Sequence, residues 1–163
     1  MLGKNVVSLH TRLGNEKLNK IERILRSIRL KFLVCEHRDF GPWNIHIEND
    51  GSIGVVDWVD ARPYGLPLLD LVYFLANTTF HHDGAWETGD FSASYSAFLD
   101  PDSYTGKHFH KCISVYASSL GIAPEDIGPL RLLCWLIQAT EENVSINKGF
   151  FFQLIEVELE RYA

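Results

Sequence analysis

Two short apolar segments, residues 45–48 and 53–56, flank Asn49-Asp50-Gly51. An Asp-Gly step supplies the positive φ angles of a tight hairpin, and the flanking segments have the length of its two arms. The consequence reaches past the hairpin itself. A chain that runs out along 45–48 and back along 53–56 returns its far end to its start, so Asp57 comes back beside Asn44. Two oxygen-bearing side chains, distant in sequence, are thereby held at one place.

The rest of the chain reads as helix. Leu18, Ile21, Ile24, Leu25 and Ile28 recur at spacings of three and four, which predicts one amphipathic helix over 16–29. Residues 31–35 form a short apolar run suited to a strand. From Pro67 onward Leu68, Leu69, Leu71, Val72, Phe74 and Leu75 are apolar nearly all round, so that helix is expected to be buried. Further helices are predicted over 91–99, 106–119, 129–143 and 149–162, with Gly128-Pro129 and Ser145 as start signals. Residues 1–14 carry no clear period; Val6 and Val7 fit a short strand or a docked arm.

The expected class is therefore mainly helical α+β, with a small catalytic hairpin. With 163 residues, 46% of them hydrophobic and 22% charged, one globular domain is expected. Within it, residues 1–35 lead in, 36–76 form a core, and 77–163 form a helical subdomain.

The formal net charge of −6 is unevenly spread. Residues 1–38 hold nine Lys/Arg against three Asp/Glu, a surplus of +6, and the remainder carries −12. The basic positions sit on the polar face of the first predicted helix, and the acidic body argues against a nucleic-acid partner. It suits a cationic small molecule. The longest apolar runs are too short to cross a bilayer, so no membrane partner is expected. Cys35, Cys112 and Cys134 show no close pairing, and no leader pattern opens the chain. A cytoplasmic protein with reduced thiols is the expectation.

The chemistry concentrates at 37–57. Phosphoryl transfer to a hydroxyl asks for a carboxylate to orient the attacking group and for hard ligands that fix Mg²⁺ on the phosphates. Asp39 suits the first role. The amide oxygen of Asn44 and the carboxylate of Asp57, brought together by the hairpin, suit the second. The string His37-Arg38-Asp39-Phe40-Gly41-Pro42-Trp43-Asn44 fits the kinase catalytic-loop pattern H-R-D-x-x-x-x-N.

Residues 36–76 more broadly resemble the aminoglycoside phosphotransferase and choline kinase family, whose motifs are H-G-D-x-x-x-x-N, a hairpin, I-D-W and D-L-x-x-x-L. The resemblance implies the C-terminal lobe of a protein-kinase-like fold. It implies Mg²⁺ and ATP, with a hydroxyl of a sugar, aminoglycoside or choline-like molecule as acceptor. By the same resemblance Asp39 is the catalytic Asp, and Asn44 and Asp57 are metal ligands. Asp70 braces the catalytic loop through its backbone, and His37 is a scaffold residue of that loop. Residues 62–71 also resemble phosphotransferases from bacterial polysaccharide-synthesis contexts, which implies a sugar or lipid-linked acceptor.

Two departures stand out. Arg38 replaces the family's usual Gly, yet only 12 residues separate Asp57 from Asp70, too few for a protein-kinase activation loop. Arg38 is thus read as a local structural charge. In addition, no G-x-G-x-x-G occurs, and Lys4, Lys17, Lys20 and Lys31 lie in no V-A-I-K-like strand. An ATP-holding N-terminal lobe is therefore expected to be missing. A truncation, a split kinase completed by a partner chain, and a degenerate copy kept for binding or self-association all fit.

Lesser features have plainer readings. Asp60 caps a turn or borders the substrate, and Trp58 and Glu141 are further substrate-side candidates. Trp58, Trp86, Trp135 and Tyr73 are the aromatic residues from which a cage for a quaternary ammonium would be built, with core packing as the default. Glu141 and Glu142 are acidic groups of the kind that hold amines. His81-His82-Asp83 is expected in a polar, solvent-facing loop. His108, His110 and Cys112 alternate, but alternate residues diverge on a helix, which argues against zinc.

Overall fold

The computed structural model describes residues 2–140 and 149–162, and Glu141, Glu142 and Ser145 lie outside them. Helix α1, Leu2–Leu25, is broken at Gly14, whose φ of 73° and ψ of 166° only glycine adopts without strain. The strand or arm expected near Val6 and Val7 is thus replaced by helix. Past the break the predicted stripe does its work: Ile21 and Ile24 are buried, and Leu18, Leu25 and Ile28 pack partly against the core. Lys17 pairs with Glu156, and the Lys20 ammonium donates to the Leu159 carbonyl, tying α1 to the end of the chain.

Two small antiparallel ribbons follow. Strand β1, Val34–Glu36, pairs with β4, Arg62–Gly65, through an irregular register that sets Val34 opposite Gly65 and Glu36 opposite Arg62. Strands β2, Ile45–Ile47, and β3, Ile53–Val55, form the hairpin, with Ile45 facing Val55 and Ile47 facing Ile53. The hairpin lies where the sequence puts it. Strand β4 was not anticipated, because Arg62-Pro63-Tyr64-Gly65 reads as a turn. Proline is tolerated there since each strand of a two-stranded ribbon has a free edge.

Helix α2, Leu69–His82, is the axis of the domain. Val72, Ala76 and Phe80 are fully buried along it. The short α3, Ala85–Thr88, leads to α4, Phe91–Leu99, capped by Asp90, which accepts from the Ala93 N–H. Helix α5, Tyr104–Leu120, is capped by Ser103. Helix α6 runs Pro124–Thr140 and α7 runs Gly149–Glu160, packed against each other. The start of α6 corrects the expectation of residue 129. Pro124 opens the helix with Glu125 and Asp126 in the favourable first turn, and Pro129 is accommodated inside it at the loss of one backbone bond.

The molecule is mainly helical, and the 3-10 turn at residues 42–44, between the ribbon strands, packs on α2. Cys35 and Cys112 are exposed free thiols, and Cys134 is buried. No described helix is long and apolar enough to cross a membrane.

Candidate active site

Strand β1 delivers the chain to His37, and α2 receives it. Asp70, in the first turn of α2, accepts the N–H groups of His37 at 2.6 Å and of Arg38 at 2.9 Å through its two carboxylate oxygens. That double grip lets the backbone turn sharply, and Arg38 takes a φ of +75°. An L-residue there costs about 1–3 kcal/mol of local strain, which glycine avoids. The Gly of the resembling family at this position thereby acquires a physical reason.

The His37 ring is 2% exposed and packs on Phe40 and Trp58, with centroids 5.7 and 4.7 Å away. Its Nε2 lies 2.8 Å from the Val56 carbonyl, which assigns the proton to Nε2 and makes the ring a donor to the end of β3. Nδ1 is buried without a partner among the described residues. The residue after Val56 is Asp57, so His37 fastens the two ends of the site to each other.

Asp39 follows the turn. Its backbone carbonyl accepts from the Gly41 N–H and from Asn44 Nδ2, and its Oδ2 accepts from Asn44 Nδ2 at 3.1 Å and Trp43 Nε1 at 3.3 Å. A single 3-10 turn, Pro42–Asn44, makes this possible by folding Trp43 and Asn44 back over Asp39. Gly41 is required by proximity: a Cβ there would stand 2.2 Å from the Trp43 ring. Trp43 meets Tyr73 of α2 edge-on at 6.1 Å. Burial, and then the nearby Asp39 charge, push the Tyr73 phenol well above its ordinary pKa, so it stays neutral beside the carboxylate.

The hairpin closes on the loop through the Val56 N–H, which donates to the Asn44 carbonyl at 3.1 Å. Asp57 is the next residue, exposed, at a φ of 61°. Neither the Asn44 amide oxygen nor the Asp57 carboxylate accepts a hydrogen bond from a described residue. Because Asn44 Nδ2 is committed to Asp39, its oxygen is turned to the other side. One amide oxygen and one carboxylate at adjoining positions fit a hard cation such as Mg²⁺, which takes one or two protein oxygens and completes its shell with phosphate and water. No group of three or more His, Cys, Asp or Glu residues converges among the described residues, at this site or away from it.

The other candidates scatter. Trp58 is half exposed beside His37, its Nε1 donating to the Val55 carbonyl, and Asp60 is exposed in the turn that follows. Glu141 lies outside the described residues. The four cage aromatics do not converge: Trp135 is buried against Tyr95, Trp86 packs on Phe91 and Phe150, and Tyr73 and Trp58 have separate partners. His110, on α5, donates to the Leu99 carbonyl at the end of α4, and His81 and His82 end α2 rather than lying in a loop.

Two residues escaped the sequence reading. Trp43 stands four positions after Asp39, the span of one tight turn, and that spacing was the available signal. Glu36 is largely buried against Asp70, and burial first, then the Asp70 charge, raise its pKa, with Arg38, Arg62 and the Leu66 N–H opposing. Nothing local in the sequence marks it.

A bracing Asp at the head of a buried helix, a turn that folds Asn onto Asp, and a hairpin returning a second Asp are the features of this site. The profile of the phosphotransferase enzyme family, APH, matches residues 8–105, and the chain belongs to that family. No curated protein and no solved structure matches it.

Proposed function

We propose that the chain transfers the γ-phosphoryl group of ATP, with Mg²⁺, to a hydroxyl of a small molecule such as a sugar, an aminoglycoside or a choline-like alcohol. One observation carries the reading. Oδ2 of Asp39 is occupied by Asn44 and Trp43, which leaves Oδ1 without a described partner and free to take an acceptor's hydroxyl proton. As that proton moves to Asp39, the acceptor oxygen bonds to the γ-phosphorus, the bond to the bridging oxygen breaks, and ADP leaves. Mg²⁺ held by Asn44 and Asp57 would neutralise charge on the β- and γ-phosphates. Asp70 and His37 act at one remove, holding the backbone at both ends of the site.

The reading includes a C-terminal-lobe role, completed by an N-terminal lobe or a partner. Support comes from the surface around the site. Ile47, Ile53, Val59 and Tyr64 are 74%, 69%, 84% and 78% exposed, an apolar surface of the kind that another protein segment covers. The same surface favours a second reading, a non-catalytic interaction module that keeps the fold.

Phosphorylation assays with ATP and a panel of hydroxyl acceptors, run on the enzyme completed by its N-terminal lobe or partner, test the first reading. Asp39→Ala is expected to lower kcat by at least about 10³-fold while leaving the circular-dichroism spectrum unchanged. Undiminished turnover would sink the assignment.

A further inference from the structure

Helix α2 has a second face, turned away from the catalytic loop. Tyr73 and Phe74 meet the catalytic loop through Trp43 and Phe40, whereas Leu75, Thr79 and His82 turn toward α4 and α5 and line a pocket of about 260 Å³. Leu75, Phe98 and Phe109 give it an apolar floor, with the two phenylalanine rings buried at a centroid distance of 3.9 Å. The rim is a row of rings. Tyr104, 69% exposed, stacks on His82 at 5.7 Å and 23°, and meets His108 edge-on at 5.0 Å.

The row is anchored. His82 Nδ1 is 2.7 Å from one Asp83 carboxylate oxygen, and the other accepts the Ser94 hydroxyl at 2.8 Å, so the imidazole is fixed to α4. The hydroxyls of Thr78 and Thr79 donate to their own helix, to Phe74 and Leu75. No Asp, Glu, Lys or Arg lines the pocket. A charged ligand would lose part of its hydration there without a counter-charge. A flat neutral ring would cover the floor and extend the stack.

We propose that this pocket binds a neutral, planar aromatic compound of one or two rings, carrying an N–H or O–H at its edge for the imidazoles of His82 and His108. The pocket is separate from the acceptor and metal positions, and binding requires neither Asp39 nor a cation.

Indole is the probe, titrated into the intact chain by calorimetry and by ¹H–¹⁵N NMR, with cyclohexanol as the neutral, non-planar control. Indole binds with a Kd below about 1 mM and shifts the amides of Leu75, Thr79, His82 and Thr105. Cyclohexanol binds at least about fivefold more weakly, and Tyr104→Ala weakens indole by a similar factor. Thr105→Phe fills the space and removes binding; Tyr104→Ala, at a mostly exposed side chain, keeps the fold if Thr105→Phe does not. Asp39→Ala binds as the wild type, whatever the outcome of the phosphorylation assays. No indole binding, equal affinity in Tyr104→Ala, parity of cyclohexanol, or loss of binding in Asp39→Ala would each overturn the proposal.

Discussion

Arg38 holds a left-handed backbone because Asp70 grips the two amides at the turn, and the two residues make opposite predictions. Arg38→Gly relieves strain but frees the unfolded chain, so chemical denaturation should show a change within about 1 kcal/mol. Asp70→Ala strands two amides that now bond a carboxylate and should cost about 3 kcal/mol, with the loop's activity lost as well. Equal effects would mean that Asp70 is not the brace. Glu36 supplies a pH test. Its folded pKa is raised above 4.5 by burial and by Asp70, so the folded state binds its proton more tightly than the unfolded state does. Its destabilising contribution is absent below 4.5, grows as pH rises through the folded pKa, and is constant above it. The stability difference between wild type and Glu36→Gln should follow that course, and a difference independent of pH would refute it. At this scale the hairpin between Asn44 and Asp57 was legible, because a hairpin is local and writes itself into spacing. Glu36 was not, since its environment is made by Asp70 and Arg62 across two other elements.

Elements α4, α6 and α7 are joined by one buried polar network. Glu158, fully buried, accepts from Arg131 Nε at 2.7 Å and Nη2 at 3.0 Å and from the Tyr95 hydroxyl at 2.5 Å, while Trp135 Nε1 donates to that hydroxyl at 2.7 Å. Removing one charge leaves the other stranded. Glu158→Gln should therefore destabilise the fold by about 3–5 kcal/mol in urea titration, against about 1–2 kcal/mol for Tyr95→Phe. A loss for Glu158→Gln no larger than for Tyr95→Phe would place the network's energy elsewhere. The stripe over 16–29 made the second half of α1 readable and the nearly continuous apolar run made α2 readable, because both are local signals. The network was not readable, since its partners are far apart in sequence. Strand β4 and the start of α6 failed for a related reason. Proline dominates the local reading at residues 63 and 129, whereas pairing with β1 and packing against α7 decide the outcome.

At the scale of the whole molecule, several exposed apolar side chains belong to the hairpin that follows the catalytic loop and to the segment after it. Ile47 and Ile53 oppose each other across the hairpin, largely exposed, and Val59 and Tyr64 are likewise exposed. If this face takes another segment or a second copy, sedimentation should show concentration-dependent association that Ile47→Glu with Ile53→Lys suppresses, the far-UV spectrum being unchanged. A chain that sediments identically with and without the substitutions would remove the face from the account. The most direct measurement concerns the metal. Mn²⁺, standing in for Mg²⁺, broadens the NMR signals of groups close to it even when binding is weak. Titrated into the 163-residue chain, it should first erase the Asn44 side-chain amide and the backbone signals of Val56 and Asp57. Asp57→Ala should abolish that pattern, whereas broadening elsewhere, or broadening at Asn44 that survives Asp57→Ala, would contradict a metal site at the mouth of the hairpin.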